Sequence, residues 1–379
     1  FELKKILFLK IYLFTLISLF ISFQFNGIDL FSFIYYLTYL LFPYLYFIII
    51  SNENDTKLLK NIFYFLIFLF IIQIPVSFLK YLFLGQSEQG LIGTLSVKSG
   101  SVSSILPCFA IAFCFSNYLY KKDLTMIFLI IGFFLFGIIG EKRAIVLYVP
   151  VVLLVAFFIY QFKFLKRLIS LRIIYLVFPL AVLIFYASVR LSPSLNPENK
   201  IGGSFDFNYF LTYSIDYNDS REEDFREMQR VAGFLYFMNY IIDQEPIKIL
   251  FGEGPGKLVE SSFGKASENL MLDNYGVRYG GRMSFVWILL QSGIIGVFLF
   301  IYTVISILFK ILKTSNFTYI HLSICTLLIL FLIDFITYSN EFYLRFYFHG
   351  TLFFLLGIAL NNKIIKINRT KSYGDTLDR

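Results

Sequence analysis

Charged residues are scarce in this chain. Lys, Arg, Asp and Glu together make up 15% of its 379 residues, against about 25% in an ordinary soluble domain. Binding to nucleic acid requires basic residues gathered on one soluble face, so the net charge of +8 does not predict a nucleic-acid partner. The shortage of charge instead indicates a protein that lies within a membrane.

Cysteine and histidine are also rare, with three cysteines and two histidines in the whole chain. Cys108, Cys114 and Cys325 all lie in apolar runs, which predicts small core residues rather than a disulfide framework or a zinc site. Neither His321 nor His349 has a second histidine at metal-ligand spacing. The sequence therefore predicts no metal site and no cofactor.

Hydrophobic residues are abundant, at 58% of the chain, and aromatic residues reach 20%. Because a helix needs roughly 20 apolar residues to cross a bilayer, these runs predict about ten membrane spans. The predicted fold is all-α and polytopic, one integral membrane domain over residues 1–379. No cleavage site follows the first apolar run, so we expect it to be retained. The predicted spans are 6–23, 28–50, 61–84, 102–120, 124–140, 145–161, 173–190, 284–309, 318–338 and 346–361.

Lysine and arginine mark every second short loop between these spans. Since such residues collect in cytoplasmic loops, those loops and both termini are predicted to be cytoplasmic. The alternate loops then lie outside, and one of them, residues 191–283, is far longer than the others. The cytoplasmic set is Lys4 and Lys5, Lys57 and Lys60, Lys121 and Lys122, Lys163 to Arg172, Lys310 and Lys313, and the basic tail from Lys363.

The long loop contains a predicted amphipathic helix. Ser220 and Glu223 form a capping-box pattern that begins a helix. Apolar residues then recur at helical spacing, so this helix is expected to lie on the membrane surface or dip into it. The stripe consists of Phe225, Met228, Val231, Ala232, Leu235, Met238 and Ile242.

Arginines are concentrated in the long loop and at the predicted outer ends of spans. A guanidinium group keeps its charge and binds phosphate oxygens bidentately, so several together suit the diphosphate headgroup of a lipid. Any single one could equally snorkel to the interface or pair with a neighbouring acid. The candidates are Arg143, Arg221, Arg226, Arg230, Arg278, Arg282 and Arg345.

A glycine turn and two acids complete the candidate residues. Gly252, Gly254 and Gly256 either expose backbone N–H groups to an anion or simply form a tight turn. Asp334 lies inside a predicted span, where an acid normally faces a cavity or a basic partner. It is either a base for an acceptor hydroxyl or half of a salt bridge, and Glu141 is a further candidate base.

Four segments, in this order, resemble the O-antigen ligase and O-antigen polymerase (Wzy-type) family of envelope polysaccharide enzymes. They are the Gly-rich GLIGTLSVKSGSVSSILP, the short outer turn GEKRAIVLYVP, the arginine-led helix that runs into LFGEGPGK, and the closing GGRMSFVWILLQSGIIGVFLF. The similarity covers most of the chain. Arg282 stands where the ligases have a histidine, which favours the polymerases.

The resemblance implies a glycosyltransferase C-like membrane enzyme in the bacterial inner membrane, acting at its outer face by metal-independent, inverting transfer. The donor would be a glycan on undecaprenyl diphosphate and the acceptor a sugar hydroxyl of a second lipid-linked unit. Arg143, Arg226, Arg230 and Arg282 would stabilise the leaving diphosphate, and Glu141 or Asp334 would act as base. A chain-length regulator protein is an expected partner, besides the bilayer itself.

Three other functions remain open at this point. A ligase would transfer the same donor to a different acceptor. A flippase for the same lipid-linked unit would show broken or charged helices near the midplane and internal repeats. A membrane scaffold or receptor would use the long loop only to bind a partner.

Labelling of single cysteines tests the predicted topology. In a variant without the three native cysteines, Ser220→Cys should react with a membrane-impermeant maleimide in intact cells. Lys122→Cys should react only after the cells are opened, because it lies in a predicted cytoplasmic loop. Labelling of the two positions in the reverse order would place residues 191–283 in the cytosol and remove the basis for an outer-face enzyme.

Overall fold

A computed structural model describes residues 2–26, 30–84, 93–94, 102–140, 143–164, 171–219, 230–258, 274–277, 283–337 and 346–361. These residues form α-helices joined by turns and contain no β-strand. The helices are α1 (Glu2–Asn26), α2 (Leu30–Asn52), α3 (Thr56–Ile71), α4 (Gln73–Leu84), α5 (Val102–Lys121), α6 (Thr125–Ile139), α7 (Arg143–Lys163), α8 (Leu171–Leu191), α9 (Phe207–Asp219), α10 (Arg230–Ile242), α11 (Pro246–Phe251), α12 (Ser284–Leu312), α13 (Tyr319–Thr337) and α14 (Phe346–Leu360).

Each of the ten predicted spans coincides with one of these helices or with a consecutive pair. Five helices among the described residues are long and apolar enough to cross a bilayer, which supports the predicted all-α membrane protein. Four further apolar helical stretches among the described residues have 10–17 residues, so the full number of ten spans stays a prediction. The five are Leu30–Asn52, Thr56–Lys80, Ala144–Lys163, Ser284–Leu312 and Tyr319–Thr337.

The apolar surface of these helices is largely exposed. In Thr56–Lys80 only 11% of the most apolar stretch is buried within the protein. Phe65, Phe68 and Phe83 are each more than half exposed. Contiguous apolar surface on this scale is found on proteins whose helices face lipid.

The chain forms two compact units, while the predicted single membrane domain stays a prediction. The first unit combines Phe1–Phe42, Leu211–Phe309 and Phe331–Leu344. The second combines Pro43–Phe210, Lys310–Leu330 and Arg345–Arg379. In the second unit α5 packs against both α6 and α7, and α7 packs against α8. The three cysteines are buried, as their apolar surroundings predicted.

Lysine-bearing helix ends lie together in the second unit. The Lys121 ammonium, at the end of α5, lies 4.7 Å from the ring centre of Tyr319, at the start of α13. Its neighbour Lys122 lies 5.4 Å from the ring centre of Tyr160, near the end of α7. These ends belong to loops that the sequence assigned to the same membrane side. The structure thus brings them to one end of the unit, and the identity of that side stays a prediction.

A turn from the loop after α4 packs against the middle of a candidate span. Gln73 is fully buried, and its side-chain oxygen accepts from the Thr94 backbone N–H at 2.7 Å. Lys80 donates to the Gly93 carbonyl oxygen at 2.5 Å. Non-helical backbone at membrane depth is tolerated only where protein groups bind it, as they do here.

Part of the long loop closes on the end of α8. Arg190 donates from Nε to the Gly203 carbonyl oxygen at 2.8 Å. The buried Asn196 amide donates to the carbonyl oxygens of Ser192 and Lys200, both at 2.9 Å. This arginine therefore holds the loop backbone.

The predicted amphipathic helix is described from Arg230 onward, and its predicted start at Ser220–Glu223 lies outside the described residues. Within α10, Val231, Leu235 and Ile242 of the predicted stripe are 47–71% exposed. The buried residues of α10 are Ala232, which belongs to the predicted stripe, and Gly233, Phe237 and Ile241, which do not. The helix thus has an apolar face turned away from the protein, as contact with a bilayer requires.

A close backbone contact in the first unit joins the glycine turn to α12. The helix bends at Gly293, whose backbone has φ 66° and ψ −170°. Gly252, in the turn, has φ 79°, and a Cβ there would lie 2.5–2.6 Å from backbone atoms of residues 291–293. Likewise, a Cβ on Gly293 would lie 2.5 Å from the Gly252 nitrogen. Only two residues without side chains allow this approach.

Alanine at either position of this contact should destabilise the protein. Gly276 is the matched control, because its φ is 71° but a Cβ at this position would have no other atom within 4 Å. Gly276→Ala should cost only the left-handed backbone penalty of about 1–2 kcal/mol. Gly252→Ala and Gly293→Ala should each cost about 1–3 kcal/mol more, because the methyl group overlaps backbone. Thermal unfolding of the purified variants measures this, and equal losses for all three would contradict it.

Candidate functional site

A buried carboxylate occupies the centre of the glycine turn. Glu253 lies between Gly252 and Gly254 and is 7% exposed. Its backbone N–H donates to the Leu290 carbonyl oxygen of α12 at 2.7 Å. The turn is further held by the Asn26 side chain of α1, which donates to the Gly252 carbonyl oxygen at 3.0 Å. The carboxylate is therefore fixed against α12 and the end of α1.

Three side chains donate hydrogen bonds to this carboxylate. Lys257 forms an ion pair with it, one helical turn further along the chain. The Tyr240 hydroxyl, from α10, donates at 2.5 Å, and the Tyr275 hydroxyl donates at 2.9 Å. We call these four residues the Glu253 cluster. Segments far apart in the long loop thus meet at one charged group.

Aromatic contacts keep the Glu253 cluster in place. The Tyr240 and Tyr275 rings meet edge to face, with centres 5.5 Å apart. The Lys257 ammonium lies 5.2 Å from the centre of the Tyr275 ring. Tyr236 donates to the Tyr275 carbonyl oxygen at 3.1 Å. Rings and cation are therefore packed into a fixed arrangement in which few rotamers are open.

Electrostatics keep Glu253 ionised. Burial pushes its pKa upward, but the hydrogen bonds from Lys257, Tyr240 and Tyr275 and the lysine charge outweigh burial, so the pKa lies below the usual value. Burial and the adjacent carboxylate raise the pKa of Tyr240 and of Tyr275. At neutral pH the two hydroxyls thus stay protonated and donate to an anionic carboxylate. A carboxylate with three donors and a lowered pKa is a poor general base.

Lys257 is the member of the cluster that can act on a ligand. Its side chain is 31% exposed, while Glu253 is nearly inaccessible. The ammonium group has three donors, and the carboxylate uses part of this capacity. An oriented ammonium at the edge of a buried cluster suits an anionic oxygen, such as that of a phosphate.

The predicted glycine site has a packing role in the structure. Gly252, Gly254 and Gly256 are all buried and all have positive φ. The Gly252 N–H donates to the Lys248 carbonyl oxygen at 2.8 Å, and the Gly256 N–H donates to Gln291 Oε1 at 3.0 Å. With the Glu253 N–H also bonded, these amides are already used within the protein. Substrate binding by the three glycines stays a prediction.

Comparison of the chain with protein-family models, with curated proteins and with solved structures finds no match. The site is therefore interpreted from its own geometry. The resemblance described from the four segments stays an expectation.

Most of the predicted arginines lie outside the described residues. The structure describes the backbone of Arg143, which begins α7, and places the half-buried Arg230 at the start of α10. Whether the arginines converge therefore stays a prediction. The predicted residues that lie outside the described part of the chain are Glu141, Arg221, Arg226, Arg278, Arg282 and Arg345.

Asp334 is fully buried in α13. The next residue, Phe335, stacks on Phe300 with ring centres 4.8 Å apart and meets Phe285 at 5.8 Å. Asp334 takes part in polar or electrostatic contacts of its own. The structure thus places it in the protein interior, as an acid within a span requires. Its role as a base stays a prediction.

The Glu253 cluster was not among the residues predicted from the sequence. Glu253 is an acid in a loop, and such residues are usually solvated. Two signals pointed to it: a lysine four residues later, and glycines on both sides that let backbone approach closely. The tyrosines carried no signal, because 27 are spread along the chain.

The lowered pKa of Glu253 predicts a specific acid sensitivity. A carboxylate with a lowered pKa stabilises the folded protein fully above its ordinary value of 4.5, and this stabilisation is lost as the pH falls through the lowered value. The melting temperature should thus be little affected by this group from pH 7 to about 5, and fall below that. Glu253→Gln, which cannot titrate, should lose less on acidification. Parallel curves for both proteins would contradict the assignment.

Proposed function

We propose that this protein is a membrane-embedded polysaccharide polymerase. It would transfer a glycan from undecaprenyl diphosphate to a sugar hydroxyl of a second lipid-linked unit at the outer face of the bacterial inner membrane. The proposal combines the resemblance to the Wzy-type family with the all-helical, apolar architecture. Both termini would then lie in the cytoplasm, and a chain-length regulator would be a partner.

One observation supports this function best: the glycine turn, in the described part of the long loop, packs directly on a candidate span. Through Gly252 and Gly293 the loop backbone contacts α12, and the Glu253 cluster lies at that contact. A receptor or scaffold has no need for a buried, charged cluster at the base of its loop. An enzyme acting on a lipid headgroup needs charge held at the membrane boundary.

The chemistry divides among several groups. The acceptor hydroxyl loses its proton as its oxygen attacks the anomeric carbon, and the bond from that carbon to the diphosphate oxygen breaks with inversion. Lys257, oriented by Glu253, would supply one cation for the leaving diphosphate. The resemblance implies the same role for Arg143, Arg226, Arg230 and Arg282. Glu141 or Asp334 would take the proton, because Glu253 is too acidic for that role.

A flippase for the same lipid-linked unit is the second candidate. The observation that favours it is the bend of α12 at Gly293, since transporters use interrupted helices. In this structure, however, the bend is filled by the backbone of the glycine turn. A closed contact of this kind favours a fixed site over a moving gate.

Replacing the cations tests the proposed polymerase. In cells that depend on this chain for long polymer, Lys257→Met and Arg143→Ala should each lower polymer yield by about 10²-fold or more, as loss of one transition-state donor does in other enzymes. Single repeat units should then accumulate outside. The matched control is Lys248→Met, a lysine of the same loop that lies outside the cluster.

The location of the accumulated material separates the candidates. Single units trapped in the cytoplasm would identify a flippase instead. Normal polymer in Lys257→Met and Arg143→Ala, with each protein present in the membrane at normal amount, would overturn the proposed site. Immunoblots of membrane fractions provide that check.

A further inference from the structure

An apolar cavity opens in the second unit between α3, α5, α6 and α14. Its volume is about 130 Å³, on the scale of an apolar cavity that holds a benzene-sized group. The lining is almost entirely apolar and rich in phenylalanine. It includes Phe63, Ile67, Phe113, Leu129 and Leu355.

The mouth of this cavity lies on an exposed apolar face. The lining residues from α5 and α14, such as Ala110 and Leu355, are buried, whereas Phe63 and Ile67 of α3 and Leu129 of α6 are partly exposed. The open side therefore lies along α3 and α6. Both helices also carry strongly exposed apolar residues, among them Phe65 and Phe128. A chain from the surrounding lipid has direct access to the cavity.

Two polar side chains interrupt this apolar lining, Asn117 and Thr351. Asn117 lines the cavity and is 8% exposed, and its Oδ1 has no hydrogen-bond partner among the described residues. Its Nδ2 contacts only a weak acceptor, the Met126 sulfur, at 3.5 Å. A half-turn of the amide exchanges the two atoms, so either orientation leaves one of them without a strong partner. Leaving a buried amide atom unpaired is unfavourable, and a ligand polar group can satisfy it.

The same two helix faces end in lysines. On α5, Ala110, Cys114, Asn117 and Lys121 follow at helical spacing and share one face. On α3, Lys60, Phe63 and Ile67 also follow at helical spacing and share one face. Lys60 and Lys121 are both exposed. The rings of Phe63 and Phe70 on α3 meet those of Phe113 and Phe109 on α5, so the two helices run antiparallel and both lysines lie at the same end.

The spacing along α5 matches the layers of a phospholipid. Asn117 lies four residues inside Lys121, which is about 6 Å at 1.5 Å per residue. In a bilayer the glycerol esters lie just inside the charged headgroups. Lys121 is therefore at headgroup level, the Asn117 amide at ester level and the phenylalanines at acyl-chain level.

We propose that this cavity binds one acyl chain of an anionic glycerophospholipid from the leaflet at the lysine-bearing end. The chain fills the space between α3, α5, α6 and α14. The Asn117 amide donates to the ester carbonyl oxygen, and Lys60 and Lys121 bind the phosphate. The site is independent of the polymerase chemistry, since none of its residues is a candidate catalytic group.

Photolabelling of the full chain tests this site. The probe is phosphatidylglycerol with a diazirine on one acyl chain, at low mole fraction in phosphatidylcholine nanodiscs, and cross-linked peptides are mapped by mass spectrometry. Label should concentrate on the cavity-lining residues of α3, α5, α6 and α14. Ala110→Leu, which fills the cavity, should lower this label several-fold, while Phe128→Leu, a lipid-exposed control on α6, should not.

The charge requirement has its own measurement. Lys60→Gln and Lys121→Gln should each lower phosphatidylglycerol labelling about fivefold at low salt, since a lysine near the surface attracts an acidic lipid by about 1 kcal/mol. A matched phosphatidylcholine probe should label the cavity weakly in every variant. Asn117→Leu should weaken labelling without filling the cavity, and it provides a second variant should Ala110→Leu misfold.

Three outcomes would overturn the proposal. Label spread evenly over the lipid-exposed helix faces of the wild-type protein would show that it has no specific lipid site. Equal labelling by the phosphatidylcholine probe would show that binding does not require an anionic headgroup. Unchanged labelling in a folded Ala110→Leu or Asn117→Leu protein would show that the lipid does not bind in the cavity.

Discussion

The contact between Gly252 and Gly293 is the interaction on which the arrangement of the first unit depends. Gly252 and Gly293 are 41 residues apart in the sequence. Their backbones approach within van der Waals distance because neither residue has a side chain. This approach bends α12 and lets the turn donate the Glu253 N–H to α12. A polar turn can lie against an apolar helix in this way because its amides find protein acceptors there.

The burial of Glu253 follows from that contact and sets a further demand. An ionised carboxylate out of water is unfavourable by several kcal/mol unless it is paired and hydrogen-bonded. Lys257 supplies the charge, and Tyr240 and Tyr275 supply the remaining donors from two other parts of the loop. The carboxylate therefore organises the loop around itself. The Lys257 ammonium group is therefore oriented before any ligand arrives, as electrostatic catalysis requires.

Composition and the spacing of apolar residues along the chain predicted the helices. Tertiary contacts between distant residues could not be predicted from the sequence. Apolar runs located the helices, while the membrane side assigned from lysines such as Lys121 and Lys163 stays a prediction. The partner of Gly293 could not be inferred, because a glycine shows that space is needed but not what fills it. The apolar stripe predicted one face of α10 as the important one. Gly233 and Phe237, which lie outside that stripe, nevertheless pack against the protein. In a membrane both faces of a helix can be apolar, so hydrophobicity does not distinguish them.

The lengths of the helices in the second unit have a consequence for the surrounding bilayer. α6 has 15 residues, which at 1.5 Å per residue is about 22 Å, shorter than a hydrocarbon core of about 30 Å. The neighbouring Thr56–Lys80 has 25 residues and exceeds that thickness. Such hydrophobic mismatch is relieved when the membrane thins beside the short helix and the long helix tilts. The protein is thereby expected to deform the leaflets locally and to draw headgroups closer together beside α6.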